Sequence, residues 1–152
     1  MALDTGEEFV QSTPFGVTPV RRLDFSSRLG NDLRRELVFI AELWQGGQCL
    51  ARQTAYFVPT KHLSLVEPGI TAQLLIEHGQ LCIELASSSL ARLVECALEG
   101  VDIVFTDNYF DLPAGRTVSI STPLPAGWTP SQVQAALKVR SVYDSYAHGA
   151  AK

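Results

Sequence analysis

The chain has 152 residues, of which 46% are hydrophobic, and it carries a formal net charge of −4. This length and composition suit one domain with a real apolar core. Its 12 Lys and Arg residues against 16 Asp and Glu make no dense basic face, so nucleic acid is excluded as a predicted partner. No apolar run approaches the roughly 20 residues that cross a bilayer, so no membrane contact is predicted. The first residues lack the apolar core of a signal peptide, and the compartment stays open.

The first part of the chain, residues 1–31, is rich in Gly, Pro, Ser and Thr and predicts an irregular lead-in. One short strand is predicted in it, around residues 17–25. From residue 33 onward apolar residues alternate with a period of two, as in strands. Residues 35–44 and 49–58 are predicted to pair across a Gly-Gly turn as a hairpin.

The rest of the chain continues this alternation. A second hairpin is predicted within residues 70–86, and a helical turn within residues 129–137 begins where Thr129 precedes Pro130. Further strands are predicted at residues 90–98, 101–106, 117–121 and 139–146. About seven to eight short strands with almost no helix predict an all-β fold, an antiparallel β-sandwich over residues 32–147. Residues 148–152 form a short tail.

Few residues offer chemistry. The three cysteines are scattered, without the close pairs of a zinc site or the even number of a disulfide framework, so we interpret them as small core or strand residues. The segment DNYFD, Asp107 to Asp111, is the exception. Its acids and amide suggest either an oxygen-rich calcium loop or a corner in which Asp107 and Asn108 bond to backbone N–H groups. In the corner, Tyr109 or Phe110 would anchor the loop in the core, and Gly115 would permit the next turn.

Two tryptophans, Trp44 and Trp128, suggest a carbohydrate contact, since exposed indole rings stack on sugars. A tryptophan in a strand or connection is more often a packing residue, so the sequence leaves both interpretations, sugar contact and packing, open.

The segment FTDNYFDLPAGRTVSI, residues 105–120, resembles the DNYFDLLPGE stretch near the C-terminus of β-mannosidases of glycoside hydrolase family 2. FVPTKHLSLVEPGI, residues 57–70, is similar to that family's P-x-K-x-L-x-L-x-x-P stretch, and LKVRSVYDSY to its closing strand. The likeness covers residues 33–146. In one departure, Pro113 comes a place early and Arg116 stands where the family has an acid.

The resemblance implies an immunoglobulin-like sandwich that serves as a non-catalytic C-terminal accessory domain. In such enzymes, two glutamates of a separate (β/α)₈ barrel hydrolyse β-mannosides with retention, and that barrel alone needs about 250 residues. The implied partners are the catalytic barrel and neighbouring domains of the same polypeptide, with no metal and no cofactor. The structural corner is then the following set: Asp107, Asn108, Tyr109, Phe110, Asp111 and Gly115.

Two alternatives remain. One is a carbohydrate-binding module that holds a mannoside through Trp44, Trp128 or Tyr109, and the other is a free-standing binding sandwich. Exposed strand edges also predict that the isolated chain can form a dimer.

Overall fold

A computed structural model describes residues 4–11, 13–30 and 32–147 of the chain. In chain order its elements are α1 (Leu33–Glu36), β1 (Val38–Gln45), β2 (Gln48–Tyr56), a 3₁₀ turn (Thr60–His62), β3 (Thr71–Glu77), β4 (Gln80–Ala86), β5 (Ala91–Leu98), β6 (Phe110–Leu112), β7 (Thr117–Pro123), α2 (Pro130–Ala136), β8 (Leu137–Arg140) and α3 (Val142–Ala147). None of the helices among these residues is long and apolar enough to span a bilayer. The predicted tail, residues 148–152, lies outside the described residues.

Six of the strands form a sandwich of two antiparallel sheets, one ordered β3-β4-β7 and the other β6-β5-β8. Strand β4 shows how its core is built, since the alternating residues Leu81, Ile83 and Leu85 are wholly buried. Because successive side chains of a strand point to opposite faces, this alternation directs one face of each sheet inward. The same core contains Ala91, Val94, Cys96, Leu98, Phe105, Leu112, Ile120 and Val133.

The other two strands, β1 and β2, form a separate hairpin. Its turn uses Gly46 and Gly47, whose φ angles of 57° and 81° are costly for other residues, as the Gly-Gly prediction required. The hairpin contributes no residue to the sandwich core. Instead, Phe25 of the lead-in packs on Phe39 and Phe57, with ring centroids 6.1 and 5.8 Å apart. The all-β antiparallel prediction, with eight strands in all, is confirmed, but the strands divide between two bodies.

Helix α2 begins as predicted. The Thr129 side chain accepts a hydrogen bond from the Gln132 N–H at 3.3 Å, and the Gln132 side chain accepts one from the Thr129 N–H at 2.8 Å. Pro130 occupies the first turn, where its missing N–H has no cost. Buried Val133 then anchors the helix on the sandwich core.

Two strand predictions are wrong, and a third strand ends earlier than predicted. Residues 17–25 contain no strand. Within residues 101–106, Val101 and Ile103 pack against the core, but the backbone pairs with β7 only where Thr106 meets Ser121. The predicted strand 139–146 ends at Arg140, because Asp144 accepts hydrogen bonds from the N–H and hydroxyl of Ser141 and so starts α3.

Candidate functional site

The DNYFD segment leads into β6, the short strand that pairs with β5 at the sandwich edge. Tyr109 has a φ of 59°, a conformation uncommon for residues other than glycine. The surrounding structure must therefore fix the segment's backbone, and its polar side chains show how.

Asn108 takes the place of a neighbouring strand. Its side-chain Oδ1 accepts a hydrogen bond from the Cys96 N–H at 2.8 Å, and its Nδ2 donates to the Cys96 carbonyl at 3.0 Å. One amide thus satisfies both backbone groups of a buried residue in β5, which a strand would otherwise have to pair. Burial, with a smaller contribution from Glu95, raises the pKa of the Cys96 thiol to about 11, so this cysteine stays protonated and unreactive at neutral pH.

Asp111 lies opposite a β-bulge. Ala91 pairs with Leu112 and Val94 with Phe110, so two residues of β5, Arg92 and Leu93, face the single residue Asp111. The bulge gives Leu93 a φ of 49°. The Asp111 Oδ1 accepts a hydrogen bond from the displaced Leu93 N–H at 3.0 Å and so satisfies the donor that the bulge leaves without a strand partner.

The second oxygen of Asp111 reaches the hairpin. Asp111 Oδ2 accepts hydrogen bonds from the Thr54 hydroxyl at 2.8 Å and from the Tyr56 hydroxyl. The Arg92 guanidinium lies 4.1 Å from the centre of the Tyr56 ring, and its Nε is 3.8 Å from Asp111 Oδ1. Burial, followed by the bond to Asp111, raises the pKa of Tyr56 to about 12, so this tyrosine remains a hydrogen-bond donor through neutral pH.

A second ionic cluster joins the same two bodies. Glu42 Oε1 of β1 accepts from Arg52 Nε at 2.7 Å and from Arg116 Nε at 2.9 Å, and Arg52 also donates to the Thr117 carbonyl at 3.2 Å. Burial opposes ionisation of Glu42, whose side chain is 12% exposed, but the hydrogen bonds from Arg116 and Arg52 outweigh it and hold the pKa below 4.5. Arg116, the residue that departs from the mannosidase pattern, therefore has a partner in this chain.

We call these contacts the hairpin–sandwich junction. Its members come from β1, β2, β5, β6 and the turn before β7: Glu42, Arg52, Thr54, Tyr56, Arg92, Asp111 and Arg116. The sequence prediction included only Asp111 of this set. A signal was present in β2, where the alternate side chains Arg52, Thr54 and Tyr56 are polar or half-polar, but no feature of the sequence identifies their partners.

The other corner residues make smaller contributions. Asp107 is exposed and accepts one hydrogen bond, at 2.8 Å, from the adjacent Asn108 N–H. Tyr109 is 61% exposed and donates to Glu95 Oε1 at 3.2 Å, which raises its pKa. Phe110 is half-buried against the core, and Gly115 turns the chain with a φ of 69°. Tyr109 thus lies outward, and Phe110 packs inward.

The two tryptophans lie in different places. Trp44, near the hairpin turn, is 54% exposed, whereas Trp128 packs against the sandwich core. In the described part of the chain, no group of three His, Cys, Asp or Glu residues is arranged to hold a metal ion. Both oxygens of Asp111 are already occupied by partners in the chain.

Comparison with known families divides the chain at the same place as the structure. A family model of mannosidases described as an Ig-fold domain matches residues 65–145, more than half of the chain. A second, described as a mannosidase Ig/CBM-like domain, matches residues 1–62. The Ig-fold match confirms the predicted immunoglobulin-like class. No curated protein matches.

Among solved structures, the chain is similar to the crystal structure of a beta-D-mannosidase from Dictyoglomus thermophilum, with a TM-score of 0.60 and 24% sequence identity. The match covers 68% of this chain and 13% of that one. At that identity the likeness shows the fold, and this chain spans a small part of the larger protein's length.

Proposed function

The chain belongs to the Ig-fold domain family of mannosidases, and from that premise we propose that it is a non-catalytic accessory part of a β-mannosidase-type glycoside hydrolase. Its role is to pack on neighbouring parts of the enzyme and stabilise them. Hydrolysis of the β-mannoside belongs to a catalytic barrel elsewhere in the same polypeptide.

The observation that carries this proposal is the use of Asp111. Asp111 is the last acid of DNYFD, the segment whose side chains most resemble those of a catalytic or metal site. Its Oδ1 nevertheless supports the β5 bulge, and its Oδ2 binds two hydroxyls of β2. A general acid, base or nucleophile needs a carboxylate oxygen directed at a substrate. Asp111 directs both of its oxygens at the chain itself, which favours a structural role.

The first test is hydrolysis. We expect the purified 152-residue chain to release no chromophore from a chromogenic β-mannoside, because the proposal assigns the catalytic acid and base to the barrel. Turnover that follows the pure protein through successive chromatographic steps would overturn the non-catalytic assignment.

The second test addresses stabilisation and uses the full polypeptide. We expect Asp111→Ala to shorten the half-life of β-mannosidase activity at elevated temperature while leaving kcat at low temperature unchanged. Asp107→Ala is the matched control, since its carboxylate makes one exposed contact and should leave the half-life unchanged. Equal half-lives for Asp111→Ala and the unaltered enzyme would contradict the role.

The exposure of Trp44 supports carbohydrate binding as a second candidate. It predicts saturable fluorescence shifts when manno-oligosaccharides are titrated into the chain, and loss of those shifts in Trp44→Ala. Trp128→Ala is a weaker probe, because that ring packs on the core and its removal also affects folding. A flat titration would remove this candidate.

A further inference from the structure

Strand β3 has one edge without a strand beside it. Among the described residues it pairs only with β4, so backbone N–H and C=O groups on its other side have no neighbouring strand. Proteins usually block pairing at such an edge with Lys, Pro, a bulge or a very short strand. Strand β3 has seven residues, TAQLLIE, with no Lys, Arg or Pro, and it pairs with β4 without a bulge. It is therefore open to pairing with a further strand.

The other edges of the sandwich are blocked. Beside β7, the Thr106 N–H donates to the Ser121 carbonyl at 2.8 Å, and the strand ends at Pro123. Strand β6 has only three residues, and β8 has four, of which Lys138 and Arg140 are charged. Short length, a covering segment and charge thus block these edges, and β3 has none of the three.

The hairpin contacts the sandwich away from β3. Its partners there include Asp111 of β6 and Arg116, which lies in the turn before β7. Because the order of the first sheet is β3-β4-β7, β3 lies at the opposite edge of that sheet from β7. The hairpin–sandwich junction therefore leaves the edge of β3 accessible.

An apolar groove of about 600 Å³ runs between β3 and helix α2, and its lining residues are Leu74, Ile76, Pro130, Ser131, Gln134 and Ala135. Leu74 and Ile76 point into the sandwich beside Ile83 and Leu81 of β4, which are wholly buried. The two β3 side chains nevertheless stay partly exposed, so the core opens to solvent on this flank. No lining residue is charged, and α2 contains no charged residue.

The sequence of β3 is compatible with pairing to a second copy of itself. A two-fold antiparallel pair centred on Leu74 places these residues of the two copies opposite each other: Leu74 and Leu74, Ala72 and Ile76, Gln73 and Leu75, Thr71 and Glu77. The one charged side chain, Glu77, then faces neutral Thr71, so no like charges meet. Leu74 and Ile76 of both copies share the groove side, where no charge opposes their contact.

We infer that the edge of β3 is an interaction surface for a second copy of this chain. Pairing of the two β3 strands joins two three-stranded sheets into one of six strands, and each copy covers the groove of the other. A strand edge and a groove make a small interface, so we expect a weak dimer with a dissociation constant of roughly 10–100 μM. The inference concerns association between chains and does not depend on the proposed function.

The first test is sedimentation velocity of the 152-residue chain from about 5 μM to about 1 mM, where a dimer of this affinity passes from minor to major species. Thr71→Lys places a cation opposite Glu77 of the other copy, and Thr71→Glu places an anion there. Symmetry repeats the pair twice, so we expect the lysine variant to dimerise about fivefold more tightly and the glutamate variant about fivefold more weakly. A monomer at every concentration, or equal affinities for the two variants, would overturn the inference.

Ser119 provides the matched control. It is an exposed residue of β7, in the same row of the sheet as Gln73 and two strands away from it. Ser119→Lys and Ser119→Glu change the net charge as the Thr71 variants do, but they lie away from the β3 edge. We expect both to dimerise like the unaltered chain. A response at Ser119 as large as that at Thr71 would mean that net charge alone controls association, against the inference.

Hydrogen exchange locates the interface independently of any substitution. Amide exchange in residues 71–77 should slow as the concentration of the unaltered chain is raised through the dissociation constant, whereas exchange in the hairpin, residues 38–56, should not change. Concentration-dependent protection confined to the hairpin or to β8 would place the contact elsewhere and overturn the assignment to β3.

Discussion

The sandwich and the hairpin are both built from strands with alternating side chains, but they cover different kinds of side chain. The sandwich buries apolar side chains, whereas β2 of the hairpin directs polar ones at the sandwich. In β4, alternate side chains such as Ile83 reach zero exposure within a core that two sheets share. In β2, the alternate side chains that face the sandwich are Arg52, Thr54 and Tyr56, held by hydrogen bonds. Alternation therefore identifies a two-faced strand, and the partner decides which face is covered.

The two regions also differ in what holds them. Apolar burial, worth about 25 cal/mol per Å² of area removed from water, dominates the sandwich. The junction depends on directed bonds whose net contribution is only about 1 kcal/mol each but whose disruption costs more, because partners are left unpaired. Substitutions in the two regions should therefore differ in size and in dependence on pH.

The largest effect is expected in the sandwich core. Ile83→Ala should lower the free energy of unfolding by about 2–5 kcal/mol, since it leaves a cavity among wholly buried neighbours. Leu43→Ala, at a half-exposed position of β1, should change the free energy of unfolding by less than about 0.5 kcal/mol in the same chain. Urea denaturation of both variants measures the contrast, and similar losses would mean that the hairpin is covered in the isolated chain.

Asp111→Ala is expected to come next. It should cost about 3 kcal/mol, at the upper end for a lost hydrogen-bond partner, because the Leu93 N–H and two hydroxyls lose their acceptor together. Thr54→Val, which removes only one of these donors, is the control and should cost about 1 kcal/mol. If the two variants had the same denaturation midpoint, Asp111 would not be the centre of the junction.

Asn108 and Asp107 are neighbours in the DNYFD segment, but their side chains make different contacts. Asn108→Ala should destabilise by about 1–3 kcal/mol, because both backbone groups of buried Cys96 lose their partner. Asp107→Ala should stay within about 0.5 kcal/mol, as an exposed substitution. The melting temperatures of the two variants measure this difference. A larger loss for Asp107→Ala than for Asn108→Ala would mean that Asp107 anchors the segment.

The smallest effect depends on pH. The pKa of Glu42 is lowered in the folded chain, so its contribution is present above the ordinary value of 4.5 and is lost as pH falls through the folded pKa. The stability difference between the unaltered chain and Glu42→Gln should therefore shrink between pH 7 and pH 3. Urea midpoints at both pH values measure it, and a difference that grew on acidification would contradict the ion pairing.

Much of the local structure could be predicted because the relevant physics is local. Gly46 and Gly47 indicate their turn by conformational freedom alone, and Thr129 with Pro130 indicates a helix start. The start of α3 was missed although its signal, Ser141 followed three residues later by Asp144, is a capping pattern. Apolar residues continued to alternate beyond Ser141, so the sequence predicted a strand there instead of a helix.

The site could be predicted only in part. Side chains of DNYFD that bond to nearby backbone are a property of turns, and the sequence indicates them. The partners of Asp111 in β2, however, lie 57 and 55 residues away in the chain. Which face of the hairpin meets the sandwich depends on packing between bodies, and the alternation of β1 and β2 is compatible with either face.

A double-mutant cycle between Asp111→Ala and Tyr56→Phe tests whether the DNYFD corner holds the hairpin to the sandwich. Tyr56→Phe keeps the ring under Arg92 and removes only the hydroxyl bound to Asp111. Because the two side chains are in contact, we expect the free energies of unfolding to show a coupling of at least about 0.5 kcal/mol. Losses that add to within about 0.3 kcal/mol would mean that the two residues act independently, and the corner would then not be the attachment point of the hairpin.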